Sequence, residues 1–153
     1  MNDLLNNPMI LRQIIMDHYE YPHNHKLSDD PAYGSVHMAS ESCIDDITVQ
    51  ALFKEGKVAD VRFDGVACTI STASTSIMTE LLIGKTLDEA KRIIDHYNKM
   101  INMEAFDVEM LEEAVAFHNV GKQANRIKCA TIGWKAIIQL IEESEAKHDE
   151  TTR

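Results

Sequence analysis

The sequence predicts an α+β fold: a small antiparallel three-stranded sheet with helices packed on one face. Three observations point there. Apolar residues alternate over 47–53 and again over 58–63, on either side of the tight turn Lys54-Glu55-Gly56-Lys57. Beyond that hairpin the apolar residues recur at steps of three and four, the spacing of a helix. The strands thus come as one block and most of the helices follow as another.

Each element has its own grounds. Asn7-Pro8 opens a first helix, because Asn caps well and Pro is tolerated at the first helical position. Ile10, Leu11, Ile14, Ile15 and Tyr19 give it an apolar stripe, and Pro22 stops it. Residues 23–34, with Pro31 and Gly34 among polar neighbours, read as loop. A short strand over 35–39 joins the sheet. In the hairpin, Ile47, Val49, Ala51 and Phe53 share one face, as do Ala59, Val61 and Phe63 on the return strand. A helix rich in small residues follows, with Ile70, Ala73, Ile77, Leu81 and Leu82 on one side and Gly84 closing it. Thr86-Leu87-Asp88-Glu89 has the form of a capping box and starts a helix through Ile93, Ile94 and Tyr97. Residues 102–107 connect to a short helix over 108–117. A last helix runs from about Asn125 through Trp134, Ile137, Ile138 and Ile141. No repeat or linker divides the chain, so 1–153 is expected to form one domain, with about 1–7 and 146–153 frayed.

With 153 residues, 44% hydrophobic and 26% charged, the composition is that of an ordinary folded protein. No apolar run reaches the ~20 residues that cross a bilayer. The opening Met1-Asn2-Asp3-Leu4-Leu5 lacks the order of a secretory leader, so a cytoplasmic location is expected. A net charge of -10, from 25 acidic and 15 basic residues, repels phosphate backbones and argues against nucleic acid as a partner.

Three cysteines make an odd count, and reduced thiols are the norm in the cytoplasm, which argues against a disulfide framework. Each is open to three readings: buried filler, nucleophile or metal ligand. Their positions are at element boundaries. Cys43 and Asp45 precede the strand that begins near Ile47, Cys68 lies between hairpin and helix, and Cys129 stands near the start of the last helix. Three sulfurs and a carboxylate make four donors, the number tetrahedral zinc takes, and soft thiolates select zinc or iron–sulfur species over magnesium or calcium. The intervals from 43 to 68 and from 68 to 129 match no zinc-finger spacing. Other constellations are bland. His23 and His25 read as solvated loop residues, although His18 and His37 lie close by in sequence. Ser71, Ser74 and Ser76 have no Gly-x-Ser-x-Gly elbow and read as small residues for close helix packing.

Three blocks carry a family likeness: Ile15-Met16-Asp17-His18-Tyr19 with Pro22; Cys43-x-Asp45 with the run from Phe63-Asp64-Gly65-Val66-Ala67-Cys68 to Ser74; and Arg126-Ile127-Lys128-Cys129-Ala130-Thr131 with Trp134. On these the chain resembles the SufU branch of the IscU/NifU N-terminal proteins of iron–sulfur cluster biogenesis, from about residue 8 to 142. Lys128, where scaffold-type members carry His, and the long stretch between Cys68 and Cys129 place it on that branch. The resemblance implies an IscU/SufU-like fold and zinc held by Cys43, Asp45, Cys68 and Cys129. It also implies a zinc-dependent sulfurtransferase that accepts persulfide sulfur on Cys43 from a pyridoxal-phosphate cysteine desulfurase of the SufS type. The alternatives are a scaffold for a transient [2Fe-2S] cluster, meeting other cluster-assembly proteins, and a zinc-binding paralogue without transfer. Ile44, where the family has Gly between Cys and Asp, motivates the last.

Overall fold

A computed structural model describes residues 2–40 and 44–152. Helix α1, Pro8–Glu20, begins as the sequence predicts: Asn7 Oδ1 accepts the Ile10 N–H and Pro8 fills the first position. Its apolar stripe is less buried than expected. Leu11 is buried, but Ile10 and Tyr19 stay 45% and 42% exposed, because α1 packs chiefly on the helix beneath it and on the turns 2–6 and 112–117. The buried polar residue on that face is His18.

Strands β1 (Gly34–Ala39), β2 (Asp46–Lys54) and β3 (Lys57–Val66) form the antiparallel sheet in the order β1-β2-β3. Val36, Ile47, Val49, Ala51, Val61 and Phe63 point into the core. The predicted alternation fails at Ala59, which is exposed, while Val58 is buried. A bulge is the cause. Leu52 faces Asp60 and Phe53 faces Val58, so Ala59 is the extra residue and the two-residue period slips by one. Val58 is also held from outside the sheet, donating to Lys85 O and accepting from the Gly84 N–H. On the face away from the core, Gln50 exchanges two hydrogen bonds with Ser28, and Asn24 O accepts from the Phe63 N–H. These bonds pin the loop 22–33 to the sheet.

Helix α2, Thr69–Leu82, is the centre of the molecule. The sequence predicts one apolar side, yet every residue from Ser71 to Thr79 is buried. Small side chains let α1, β3 and the last helix close around it, and two of its hydroxyls find backbone partners inside: Ser74 donates to Ala130 O and Thr79 to Ser76 O. The capping box of Thr86 and Glu89 starts α3, Leu87–Ile101. The predicted helix over 108–117 is two pieces, α4 (Val108–Leu111) and a 3-10 turn Glu112–Phe117; Glu112, at φ +47°, breaks the run.

Helix α5, Ala124–Thr152, packs Trp134, Ile137 and Ile141 against β1, β2 and α2. Its backbone is helical as far as Thr152, and Lys91 Nζ ties Glu145 at 2.7 Å. Near the other end, Asn2–Asn6 forms a 3-10 turn, with Leu4 and Leu5 against the core. No helix among the described residues is long and apolar enough to cross a membrane.

Candidate metal centre

Asp45 closes the chain before β2 and is 1% exposed. Two donors fix its carboxylate: Oδ1 accepts the Cys68 N–H at 2.9 Å, and Oδ2 accepts the Ser71 hydroxyl in a short contact. Its backbone carbonyl accepts the Ser40 N–H at 2.9 Å. Cys43 lies outside the described residues.

Cys68 caps α2. Its Sγ accepts from the Ser71 N–H at 3.5 Å, which puts the sulfur at the positive end of a 14-residue helix. Gly65 makes the approach to Cys68 possible. It sits at φ +133°, and a Cβ there would fall 2.2 Å from Asp46 O, so only glycine lets β3 pass this close to β2.

Cys129 reaches the same point from α5 and is buried. The sequence places it near the helix start; with α5 beginning at Ala124 it stands in the second turn, where packing and not the helix end sets its surroundings. The chain after it is anchored. Ala130 O accepts from Tyr97 Oη at 2.6 Å and from Ser74 Oγ at 2.7 Å, while Trp134 Nε1 donates to Ser74 Oγ at 3.0 Å. Tyr97 and Trp134 stack with centroids 3.8 Å apart and planes within 6°.

The structure therefore brings together three of the four predicted donors. One oxygen of Asp45 and the sulfurs of Cys68 and Cys129 lie within 4.8 Å of one another, carried by three separate elements. Tetrahedral zinc holds thiolate at about 2.3 Å and carboxylate at about 2.0–2.2 Å, so a gap of this size closes by small side-chain rotations. Two soft sulfurs with one carboxylate fit zinc or an iron–sulfur species and not magnesium or calcium. Arg126 and Lys128 are exposed on the first turns of α5. Lys128 also borders, with Lys135, Ile132, Met38, Ala39 and Ser40, a cleft of about 340 Å³ beside the centre.

Two features escaped the sequence. Ser71 bridges Asp45 and Cys68, and the only signal for it was its place three residues after a capping cysteine. His18 and His23 are not merely neighbours in sequence: both engage Ser76, from the middle of α2. His25 and His37 instead pair with Asp64 and Asp46 at 3.2 and 2.5 Å.

Known proteins share this architecture. The family model described as the NifU-like N terminal domain matches residues 10–151. The chain is 36% identical to the iron–sulfur cluster assembly scaffold protein IscU of Streptococcus pyogenes serotype M1, over 88% of this chain and 85% of that one. It is 35% identical to the zinc-dependent sulfurtransferase SufU of Bacillus subtilis (strain 168), over 84% and 86%. Among solved structures, a candidate cluster assembly scaffold for the SUF system from Fervidobacterium islandicum AW-1 superposes with a TM-score of 0.73 at 32% identity, covering 81% of this chain and 90% of that one.

Proposed function

The chain belongs to the NifU-like N-terminal domain family, and from that premise we propose that it is a zinc-holding sulfur carrier of iron–sulfur cluster assembly. The observation that carries this reading is the convergence of Asp45, Cys68 and Cys129 on one point. Cys43 is the fourth donor and the sulfur acceptor, and its partner is a pyridoxal-phosphate cysteine desulfurase of the SufS type. The zinc-dependent sulfur transfer of the Bacillus subtilis relative supports the choice over a cluster scaffold.

Zinc, when bound, keeps the cysteines deprotonated and brings no redox chemistry of its own. The rest falls to the chain. Cys68 and Asp45 are fixed by the cap of α2 and by Ser71, and Cys129 by the anchored turn of α5, so three donors stay in place while the fourth leaves. The Cys43 thiolate attacks the outer sulfur of the desulfurase persulfide. The new bond is Cys43 S–S, the bond that breaks is the persulfide S–S of the desulfurase, and its cysteine departs as a thiolate. This is thiol–persulfide exchange, without net oxidation, and its rate follows thiolate fraction and access. Ile44, 65% exposed beside the acceptor, sits where a partner passes.

The test combines zinc-loaded protein with its cognate cysteine desulfurase and follows cysteine-dependent alanine release. Stimulation is expected for the wild type and none for Cys43→Ala. Full stimulation by Cys43→Ala would overturn the assignment of the acceptor. Iron with labile sulfide bound in place of zinc would make the protein a scaffold instead.

A further inference from the structure

We propose that His18, His23 and Glu80, with Glu113 beside them, form a second site for a divalent transition ion of the zinc class, separate from the cysteine centre and built without sulfur. One nitrogen of each imidazole and one oxygen of Glu80 lie within 4.8 Å of one another. A tetrahedral site with metal–nitrogen bonds of 2.0–2.1 Å needs these atoms about 3.3 Å apart. The separations close by at most about 1.5 Å, and His23 and Glu80, with half-exposed side chains in direct contact, are free to make that movement.

Four separate pieces of chain deliver the donors: α1, the loop after it, α2, and the turn Glu112–Phe117. His18 is the fixed member, with 6% of its side chain exposed. Its Nδ1 lies 2.8 Å from Ser76 Oγ, and its Nε2 faces Glu113 Oε1 at 3.3 Å. The same Ser76 oxygen accepts the His23 backbone N–H at 2.7 Å. One buried hydroxyl thus orients the ring of the first histidine and the backbone of the second. Metal-binding imidazoles characteristically have such an outer partner on the other ring nitrogen. Asn24 Nδ2 donates to Thr79 Oγ1 at 2.9 Å and fastens the loop to α2 one residue later. A cavity of about 120 Å³, bordered by Ile77, Glu80, Leu81, Glu112 and Glu113, opens beside the cluster and offers entry and room for water.

Ordinary ion pairing is the rival explanation. It accounts for His23 with Glu80 and for His18 with Glu113 one pair at a time, but the half-exposed His23–Glu80 pair is by itself worth little. It leaves unexplained why both pairs share one serine and face each other, with imidazole centroids 4.9 Å apart. Two carboxylates stand beside the two imidazoles in a chain whose formal net charge is -10, a setting that attracts divalent cations. Imidazole and carboxylate suit zinc, iron(II), nickel and copper, whereas the cysteine centre selects softer species. Along α2, Ser71 at the first site and Ser76 at the second are separated by a rise of about 7.5 Å.

The test is equilibrium dialysis of Zn2+ into the full chain at pH 7.5, for the wild type, His23→Ala and Glu80→Gln. Cobalt(II) substitution runs in parallel, because only the cysteine centre yields thiolate-to-cobalt charge-transfer absorption. The wild type is expected to bind one more Zn2+ per chain than either variant, with the charge-transfer band unchanged in all three. Equal stoichiometry in wild type and both variants would overturn the proposal, as would loss of the extra ion together with the thiolate band. His23 and Glu80 lie at the surface, so circular dichroism should show all three proteins equally folded. Because the thiolate band reports on the cysteine centre alone, failure here leaves the sulfur-carrier reading intact, and the reverse also holds.

Discussion

Thr75 buries its hydroxyl in the middle of α2, and among the described residues its Oγ1 is the buried side-chain oxygen without a hydrogen-bond partner. A buried polar atom left unpaired costs about 1–3 kcal/mol. Thr75→Val keeps the branched shape and removes the cost, so it is expected to raise stability by about 1 kcal/mol. For a chain of this size that is about 2–4 °C in Tm, read by thermal or denaturant melts; a lower Tm would show that the hydroxyl is satisfied in solution. At this scale the sequence was legible where chemistry narrows the choice of residue. Asp45, Cys68 and Cys129 stood out as donors because few residue types bind soft metals, and the fold brings them together. Ser71 and Ser76 did not stand out. A serine on a helix rich in small residues looks like packing material until the partners it reaches, Asp45 in one case and His18 in the other, arrive from distant parts of the chain.

Helices α2 and α5 meet at Gly133, where a Cβ would lie 2.5 Å from Thr75 Oγ1. Two effects oppose each other in Gly133→Ala. Helix propensity favours alanine by about 1 kcal/mol, while forcing a methyl into a packed seam costs about 1–3 kcal/mol. The overlap is with a β-branched side chain on a buried helix, so the clash wins and a net loss of stability is expected in urea titrations. Thr75→Ala in the same molecule should restore most of it, and strict additivity of the two changes would refute the contact. Element types and order were legible because periodicity and caps are local: Asn7-Pro8 and the Thr86–Glu89 box begin helices where expected. What escaped depends on neighbours. The bulge at Ala59 answers to β2, the burial of α2 on all sides answers to three partners, and Glu112 breaks a helical run through a backbone angle that composition does not announce.

At the scale of the whole molecule, Tyr97 links the helical layer to the cysteine centre and is fully buried. Burial first of all raises its phenol pKa far above the ordinary value near 10, with the Ser74 hydrogen bond opposing weakly. A raised pKa means that this part of the stability is intact below about pH 10 and is lost as pH rises, because the unfolded chain ionises and the native one does not. Alkaline unfolding is therefore expected above about pH 10, with tyrosinate absorbance from Tyr97 developing only as the fold is lost. Ionisation of every tyrosine near pH 10 with the fold unchanged would contradict the burial. Glu113 acts at the acid end: its contact with His18 lowers its pKa, so that contribution is held above the ordinary carboxylate range and lost as pH falls through the lowered value. The stack beneath Tyr97 has one more property. The sequence holds a single tryptophan, Trp134, and it is clamped face to face on Tyr97 and bonded to Ser74, whose hydroxyl holds the carbonyl next to Cys129. The protein therefore contains its own optical gauge: one indole, wired to the turn that carries Cys129, whose emission is expected to change with whatever fills or empties the cysteine centre.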